Sequence, residues 1–193
     1  ILVTGASGYV GGRLVRALLN EKMKVRISVR DAAKVMGQPW AKDVEISVGN
    51  AINYAEMKAA LNGVHTAFYL LHSIGVGTHF DQLEADMARN FARACEASGV
   101  RQIVYLGGIA NEEKQSKHLA SRARTGEELR STSVPVMELR AGIIIGSGSA
   151  SFEMLRHLTH RLPIMTTPKW VSNRTQPIAI RDVLYYLRKV ANL

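Results

Sequence analysis

The sequence predicts a doubly wound parallel α/β sheet with helices on both faces. Short apolar runs alternate along the chain with amphipathic segments of helical spacing. Several of the runs are almost uninterrupted in their apolar residues, as in strands buried on both faces. A glycine-rich turn, with Gly5, Gly8 and Gly11, joins the first run to the first helical segment. Strands joined through right-handed helical crossovers lie parallel, and a ligand is expected where the strand order reverses.

The first half of the chain contains four predicted strands. Residues 1–4 form a short apolar strand, and apolar residues at helical spacing predict the first helix over 11–23. Alternating Val and Ile residues predict the second strand over 24–30. The other segments of this half are a strand at 44–48, a helix at 54–63 that ends at a glycine, and a strand at 65–73.

The second half continues the alternation. A long amphipathic helix covers 79–99, a fifth strand 101–108 and a further helix 117–132. The sixth strand covers 134–140 and is expected to continue through 142–146, followed by a helix at 149–162 capped by Ser149 or Ser151 and a last helix at 180–192. Residues 163–179 contain three of the five prolines, which predicts a loop-rich flap over the substrate at the rim of the sheet.

Length and composition indicate one globular domain. The 193 residues can bury a sizeable core, and no apolar run is long enough to cross a bilayer. Cys95 is the only cysteine, so we expect no internal disulfide and a reducing, cytoplasmic location. The net charge of +9 favours anionic partners, but the cations are scattered and nucleic acid is not the expected partner. We expect no secretory leader, and we expect the natural protein to continue past Leu193.

The glycine-rich turn has the order of a nucleotide-phosphate site: strand, G-x-x-G-x-x-G, amphipathic helix. Gly5 permits a tight turn, Gly8 lets a pyrophosphate approach the backbone, and Gly11 lets the helix pack close to the sheet. The free N–H groups near Tyr9 and Val10 then meet the negative charge. The hydroxyl of the neighbouring serine in this turn offers a further donor. A plain glycine-rich turn is the alternative interpretation.

The end of the second strand indicates which dinucleotide binds. An acidic residue there holds a ribose 2′-hydroxyl, whereas an arginine accommodates a 2′-phosphate. Arg30 lies at this position, 19 residues after Gly11, with Lys34 nearby. We therefore expect NADP, with NAD as the alternative if Arg30 is an exposed residue paired with Asp31. Asn50, after the third strand, is expected at the adenine edge.

Five stretches resemble the atypical branch of the short-chain dehydrogenase/reductase superfamily, in its NmrA-like and epimerase-like group. They are VTGASGYVGGRLV, FYLLHS, GVRQIVYLGG, LRAGIIIGSGS and QPIAIRDVLYYL. The resemblance implies a Rossmann fold with an NAD(P) pocket over the carboxyl ends of the strands. By position, the implied dinucleotide residues are Gly5, Ser7, Gly8, Tyr9, Val10, Gly11, Arg30, Asn50, Ala51, Leu70, Leu71, His72, Gly107, Gly108, Ala141 and Gly142.

The chain departs from the superfamily at its catalytic residues. The usual members have a Ser after the fifth strand and a Tyr-x-x-x-Lys pair on the next helix, but here the strand ends in Gly107 and Gly108. His118 and Arg122 have the i, i+4 spacing of that pair. His118 can exchange a proton at neutral pH, and Arg122 can hydrogen-bond a ribose or substrate oxygen. An ordinary solvated helix face is the alternative interpretation of these two residues, since His and Arg are common on exposed helices.

Two classes of function follow. The first is an NADP-dependent oxidoreductase acting on a small carbonyl or enone substrate, with His118 or a bound water as the proton donor. The second is a non-catalytic NADP(H)-binding sensor or assembly protein, which the missing Ser and Tyr-x-x-x-Lys favour. The apolar stripe of the 79–99 helix fits either a homodimer or core packing. His157 and His160 lack an acidic third ligand, so no metal site is expected.

Overall fold

The computed structural model describes residues 1–71, 80–109, 116–161 and 175–191. In chain order the strands are β1 (Leu2–Thr4), β2 (Arg26–Val29), β3 (Glu45–Val48), β4 (Thr66–Tyr69), β5 (Gln102–Gly108), β6 (Val136–Ala141), β7 (Ile144–Ile145) and β8 (Ile178–Ala179). The helices are α1 (Tyr9–Asn20), α2 (Ala33–Met36), α3 (Tyr54–Ala60), α4 (Phe80–Ala97), α5 (Lys117–Leu129), α6 (Ala150–Arg161) and α7 (Ile180–Val190).

Strands β1 to β6 form one parallel sheet in the order β3-β2-β1-β4-β5-β6. The chain builds outward from β1 in one direction, then crosses to β4 and builds outward in the other. The order therefore reverses between β1 and β4, the place where doubly wound sheets bind ligands. This topology confirms the predicted fold class.

Each central strand is buried on both faces because its side chains alternate between two cores. On one face, Val3 and Phe68 pack with residues of α1, α2 and α7, of which Leu14 and Leu187 are fully buried. On the other face, Tyr69 packs edge-on against the Phe91 ring of α4, in a core that α3 and α5 complete. Helices on both faces explain why these strands are apolar along their whole length.

The prediction that 142–146 continues the sixth strand is wrong. Strand β6 ends at Ala141, and Ile144–Ile145 pairs instead with Ile178–Ala179 in a separate two-stranded sheet. The chain turns at Gly142, where a Cβ atom would collide with the backbone carbonyl of Gln176. The close contact between Gly142 and the Gln176 backbone therefore determines where the strand ends, although the apolar run continues past it.

Smaller differences concern helix bounds and the flap. Helix α1 begins at Tyr9, two residues before the predicted start, and neither α2 nor the 3₁₀ turn at Ala41–Asp43 was expected. Ser149 precedes α6, but its hydroxyl donates to the Ile144 carbonyl. Of the predicted flap at 163–179, the described part is residues 175–179, which includes β8.

Candidate dinucleotide-binding site

The turn between β1 and α1 has the conformation that its glycines predict. Gly5 has a φ of +68°, a region that residues with a side chain rarely adopt, and its carbonyl accepts the Gly8 N–H at 2.9 Å. At Gly11 a Cβ atom would collide with the same Gly5 carbonyl. Glycine at both positions is therefore required for α1 to start directly against the turn.

The first turn of α1 exposes backbone donors. Gly8 precedes the helix without a side-chain cap, the Gly12 N–H donates to the Gly8 carbonyl at 3.0 Å, and no acidic residue lies in the first turn. Among the described residues, no backbone acceptor faces the N–H groups of Tyr9, Val10 and Gly11. Unpartnered amides at the positive end of a helix dipole form an anion-binding site.

These amides open into a cavity of about 770 Å³ along the carboxyl ends of the strands. The cavity brings together most of the residues that the sequence predicted for a dinucleotide. Its lining includes Gly5, Ser7, Gly8, Tyr9, Val10, Gly11, Arg30, Asn50, Ala51, Leu70, Leu71, Gly108, Ala141 and Gly142. Gly107 is not among the described lining residues, and His72 lies outside the described residues. A nicotinamide dinucleotide fits this donor set, because the amides face a phosphate and the glycines leave its path open.

At the β2 end of the cavity, two cations have no carboxylate partner. Arg30 and Lys34 line the cavity and are exposed, and neither forms an ion pair within the described parts of the chain. Asp31 does not pair with Arg30, because its carboxylate accepts the Ala33 N–H at 2.9 Å. The acidic side chain therefore supports the start of α2, and the positive charge at this end is left uncompensated.

Asn50 is held at the rim by Glu56, a residue that sequence reasoning did not identify. The Glu56 carboxylate accepts the Asn50 backbone N–H and the Asn53 side-chain amide, both at 2.7 Å. The Asn53 side chain in turn accepts the Ala55 and Glu56 N–H groups and caps α3. This reciprocal cap is the sequence signal that could have found Glu56, since it lies three residues after an N-cap residue.

Tyr9 and Arg13 connect α1 to the segment before α6. The Arg13 guanidinium stacks 3.9 Å from the centre of the Tyr9 ring and donates to the Ser147 carbonyl at 2.9 Å. The Tyr9 hydroxyl is buried and has no hydrogen-bond partner among the described residues; a Cβ atom at Gly146 would lie 2.5 Å from it. Ser149 and the first residue of α6 thereby become part of the cavity wall.

On α5 the structure separates the two predicted catalytic residues. Arg122 is partly buried and lines the cavity together with Leu119, one turn before it. His118 is exposed and is not among the described lining residues. Tyr105 on β5 also lines the cavity, but its hydroxyl donates to the Arg122 carbonyl at 2.9 Å. Burial raises the pKa of Tyr105 to about 12, so this phenol is a poor proton donor or acceptor at neutral pH.

The cavity includes residues that the motifs did not indicate. These residues lie in or near β5, β6 and the elements that follow them, except Met87, which lies in the middle of α4. They are Met87, Leu106, Ile109, Leu119, Ile143, Ile144, Ala150 and Thr175. Their position after a strand was a usable signal for Ile109 and Ile143. Nothing in the local sequence marks Met87, because only the packing of α4 against the sheet turns it toward the cavity.

Comparison with known proteins supports the assignment that this geometry suggests. The model of the NmrA-like family matches residues 1–168. The chain belongs to the NmrA-like family. The ceramide reductase of Caulobacter vibrioides is 27% identical over 169 residues, which is 86% of this chain and 52% of that protein. The NAD(P)H azoreductase of Xenophilus azovorans is 31% identical over 109 residues, which is 56% of this chain and 35% of that protein.

Solved structures show the same fold at low identity. Pen from Bacillus thuringiensis has a TM-score of 0.81 and 15% identity, over 100% of this chain and 64% of that one. The triphenylmethane reductase of Citrobacter sp., in its complex with NADP(H), has a TM-score of 0.65 and 24% identity, over 82% of this chain and 54% of that one. The chain thus spans about half the length of the ceramide reductase and about a third of the azoreductase that it matches.

The described residues contain neither a membrane-spanning helix nor a metal-binding cluster. None of their helices combines the length and the apolar character needed to cross a membrane. None of their His, Cys, Asp and Glu side chains form a group of three or more that could hold a metal ion.

Proposed function

We propose that this NmrA-like chain binds NADP(H) and that the protein transfers hydride between this cofactor and a small carbonyl or enone substrate. The single observation that supports the proposal most is the glycine turn. It presents three unpartnered amides, of Tyr9, Val10 and Gly11, to a cavity that runs past the ends of β1, β2 and β4. Such a cradle fits a pyrophosphate, which is common to NAD and NADP.

The preference for NADP over NAD rests on charge at the β2 end. A 2′-phosphate carries negative charge that Arg30 and Lys34 can meet, and the planar guanidinium can bind it through two hydrogen bonds. An NAD site would need an acidic side chain directed at the ribose hydroxyls. Asp31 is the acidic candidate, and the Ala33 N–H already occupies one of its carboxylate oxygens.

The chemistry would take place at the β4–β6 end of the cavity. Bound NADPH supplies a hydride to an electron-poor carbon of the substrate. We propose that Leu70 and Leu71, at the end of β4, support the nicotinamide half. Because His118 is exposed and outside the described cavity lining, and the Tyr105 hydroxyl is engaged, we assign the proton to water in the cavity.

A non-catalytic NADP(H) sensor is the second candidate. The observation that favours it is that no described lining residue at the substrate end offers a free acidic group. Strand β5 ends in Gly107 and Gly108 where the superfamily has a Ser, and the only tyrosines among the described lining residues are Tyr9 and Tyr105. A protein of this kind would bind the dinucleotide tightly and show no turnover.

Cofactor titration tests the binding proposal. We expect NADPH to bind more tightly than NADH, and Arg30→Ala to weaken NADPH by about 10- to 100-fold while changing NADH little, because a hydrogen bond to a charged group is worth about 1.5–3 kcal/mol. Arg101→Ala is the matched control, since it removes the same charge just before β5, at the amino ends of the parallel strands and so at the opposite end from the cavity. Equal losses of NADPH and NADH affinity in Arg30→Ala would refute the 2′-phosphate role.

Turnover separates the two candidates. Purified protein is mixed with NADPH and a panel of aldehydes, ketones, enones and quinones, and the loss of reduced-cofactor absorbance is followed. Oxidation of NADPH that depends on one of these compounds supports the reductase. Tight NADPH binding with no oxidation across the panel supports the sensor.

A further inference from the structure

Arg122 lies in an apolar part of the cavity and has no ion-pair partner among the residues that the structure describes. The other described charged lining residues, Arg30, Asp31 and Lys34, all lie at the β2 end. At the α5 end Arg122 shares the wall with apolar side chains from five elements or their flanks, namely Leu71, Met87, Ile109, Leu119 and Ile143. Within the described chain no carboxylate lies within ion-pair distance of its guanidinium.

Three carboxylates of the surrounding elements have other partners. Glu84 on α4 accepts the Ser121 hydroxyl at 2.5 Å. Glu128 on α5 binds the Arg89 guanidinium at 2.6 Å, and Glu138 on β6 binds Arg130 and Arg140. Within the described parts of the chain, none of these three carboxylates pairs with Arg122.

The backbone around Arg122 leaves space for its side chain. A Cβ atom on Gly108 would lie 3.4 Å from the Arg122 Cδ and 2.9 Å from the Leu119 Cδ2, so glycine at the end of β5 leaves the space that these side chains occupy. The hydrogen bond that ties this residue to β5 uses its backbone carbonyl, which accepts from Tyr105. The guanidinium itself therefore has no structural role among the described contacts.

We infer that Arg122 binds an anionic group of the substrate, so that the substrate class is an apolar carbonyl compound bearing a carboxylate or a similar oxyanion. This inference rests on the proposed function, because it assigns the substrate for the same cavity. A partly buried guanidinium beside apolar walls gains most from an oxyanion, which accepts two parallel hydrogen bonds. The apolar side chains then contact the rest of the substrate.

Binding of matched acid and ester pairs tests the inference without turnover. The protein is saturated with NADP⁺, which has no hydride to give, and dissociation constants are measured by calorimetry for 4-formylbenzoate and its methyl ester. The pair 4′-formylbiphenyl-4-carboxylate and its methyl ester extends the apolar part. We expect each carboxylate to bind about 10- to 100-fold more tightly than its ester, because only the carboxylate offers Arg122 a charged acceptor.

Variants assign that preference to one side chain. Arg122→Ala is expected to abolish it, and Arg122→Lys to keep part of it. Arg124→Ala is the matched control: it removes the same charge from the same helix, but Arg124 donates to Gln82 and is not a described lining residue. Equal affinity of wild type for acid and ester, a preference that survives in Arg122→Ala, or no binding of either carboxylate would each overturn the inference.

Failure of the proposed function gives a different result. If the wild-type protein binds no NADP(H), the acid and ester pairs are measured on the cofactor-free protein, and an Arg122-dependent preference there supports the inference alone. If Arg122→Ala instead weakens NADP⁺ and lowers the affinity of acid and ester equally, Arg122 belongs to the cofactor site and the inference is wrong.

Discussion

Thr4 connects the two strands between which the sheet order reverses, and its hydroxyl allows a quantitative prediction. The side chain is 1% exposed. Its Oγ1 donates to the Phe68 carbonyl at 2.9 Å and accepts the Leu70 N–H at 3.1 Å. Among the described residues the Leu70 N–H has no other acceptor, and Leu70 lines the cavity. Removing this hydroxyl should therefore destabilise the contact between β1 and β4, beside the cavity in which the ligand is expected.

The substitution Thr4→Val keeps the shape of the side chain and removes both hydrogen bonds. Leaving the Leu70 N–H unpaired costs about 1–3 kcal/mol, and the lost bond to the Phe68 carbonyl adds about 1 kcal/mol. We expect a loss of about 2–4 kcal/mol in the free energy of unfolding. In a domain of this size that loss lowers the melting temperature by on the order of 10 °C.

The control is Thr4→Ser, which keeps the hydroxyl and removes one buried methyl group. That change costs about 1 kcal/mol. Urea unfolding followed by circular dichroism measures both variants, with the midpoint compared at constant slope. If Thr4→Val is as stable as Thr4→Ser, the hydrogen bonds contribute nothing and the reasoning fails.

Three further predictions concern the turn, a partly buried carboxylate and the first catalytic candidate. Gly11→Ala should lower the free energy of unfolding by about 1–3 kcal/mol, because the new Cβ atom would collide with the Gly5 carbonyl. Gly37→Ala is the control and should not lower it in this way, because no atom lies within 4 Å of a Cβ at Gly37. Thermal unfolding of both variants tests the prediction. Burial alone would raise the pKa of Glu138, but the guanidinium groups beside it lower it below its usual 4.5. The ionised Glu138 carboxylate therefore stabilises the fold above pH 4.5, and this stabilisation is lost as the pH falls through the lower folded-state pKa. Glu138→Gln should remove that part of the acid sensitivity. An unchanged dependence of the free energy of unfolding on pH, measured by urea unfolding, would contradict this prediction. His118→Ala should leave kcat/KM for any substrate found within about twofold, because the imidazole is exposed and away from the cavity; a loss of about 100-fold or more would restore it as a proton donor.

The Rossmann fold and the phosphate cradle could be predicted because their signals are local. The positive φ at Gly5 and the close approach at Gly11 depend on a few adjacent residues. The apolar character of the strands follows from helices on both faces, which any parallel sheet requires. The strand after residue 141 was mispredicted because an apolar run of this length fits two different sheets equally.

The substrate half of the cavity could not be predicted in the same way. The spacing of His118 and Arg122 puts both near one side of α5, yet the rotation of this helix against the sheet turns only Arg122 to the cavity. That rotation depends on contacts with α4 and β5, far away in the sequence. Local spacing does not contain this information.

By itself, the sequence determined that this chain is a doubly wound α/β protein with an anion cradle at the start of its first helix, because backbone conformation and hydrophobic period are properties of neighbouring residues. Only the tertiary structure decided that Arg122 faces an apolar wall and has no ion-pair partner among the described residues. Whether a charge is compensated depends on which side chains the fold brings within a few ångströms, and the partners in question come from different strands and helices.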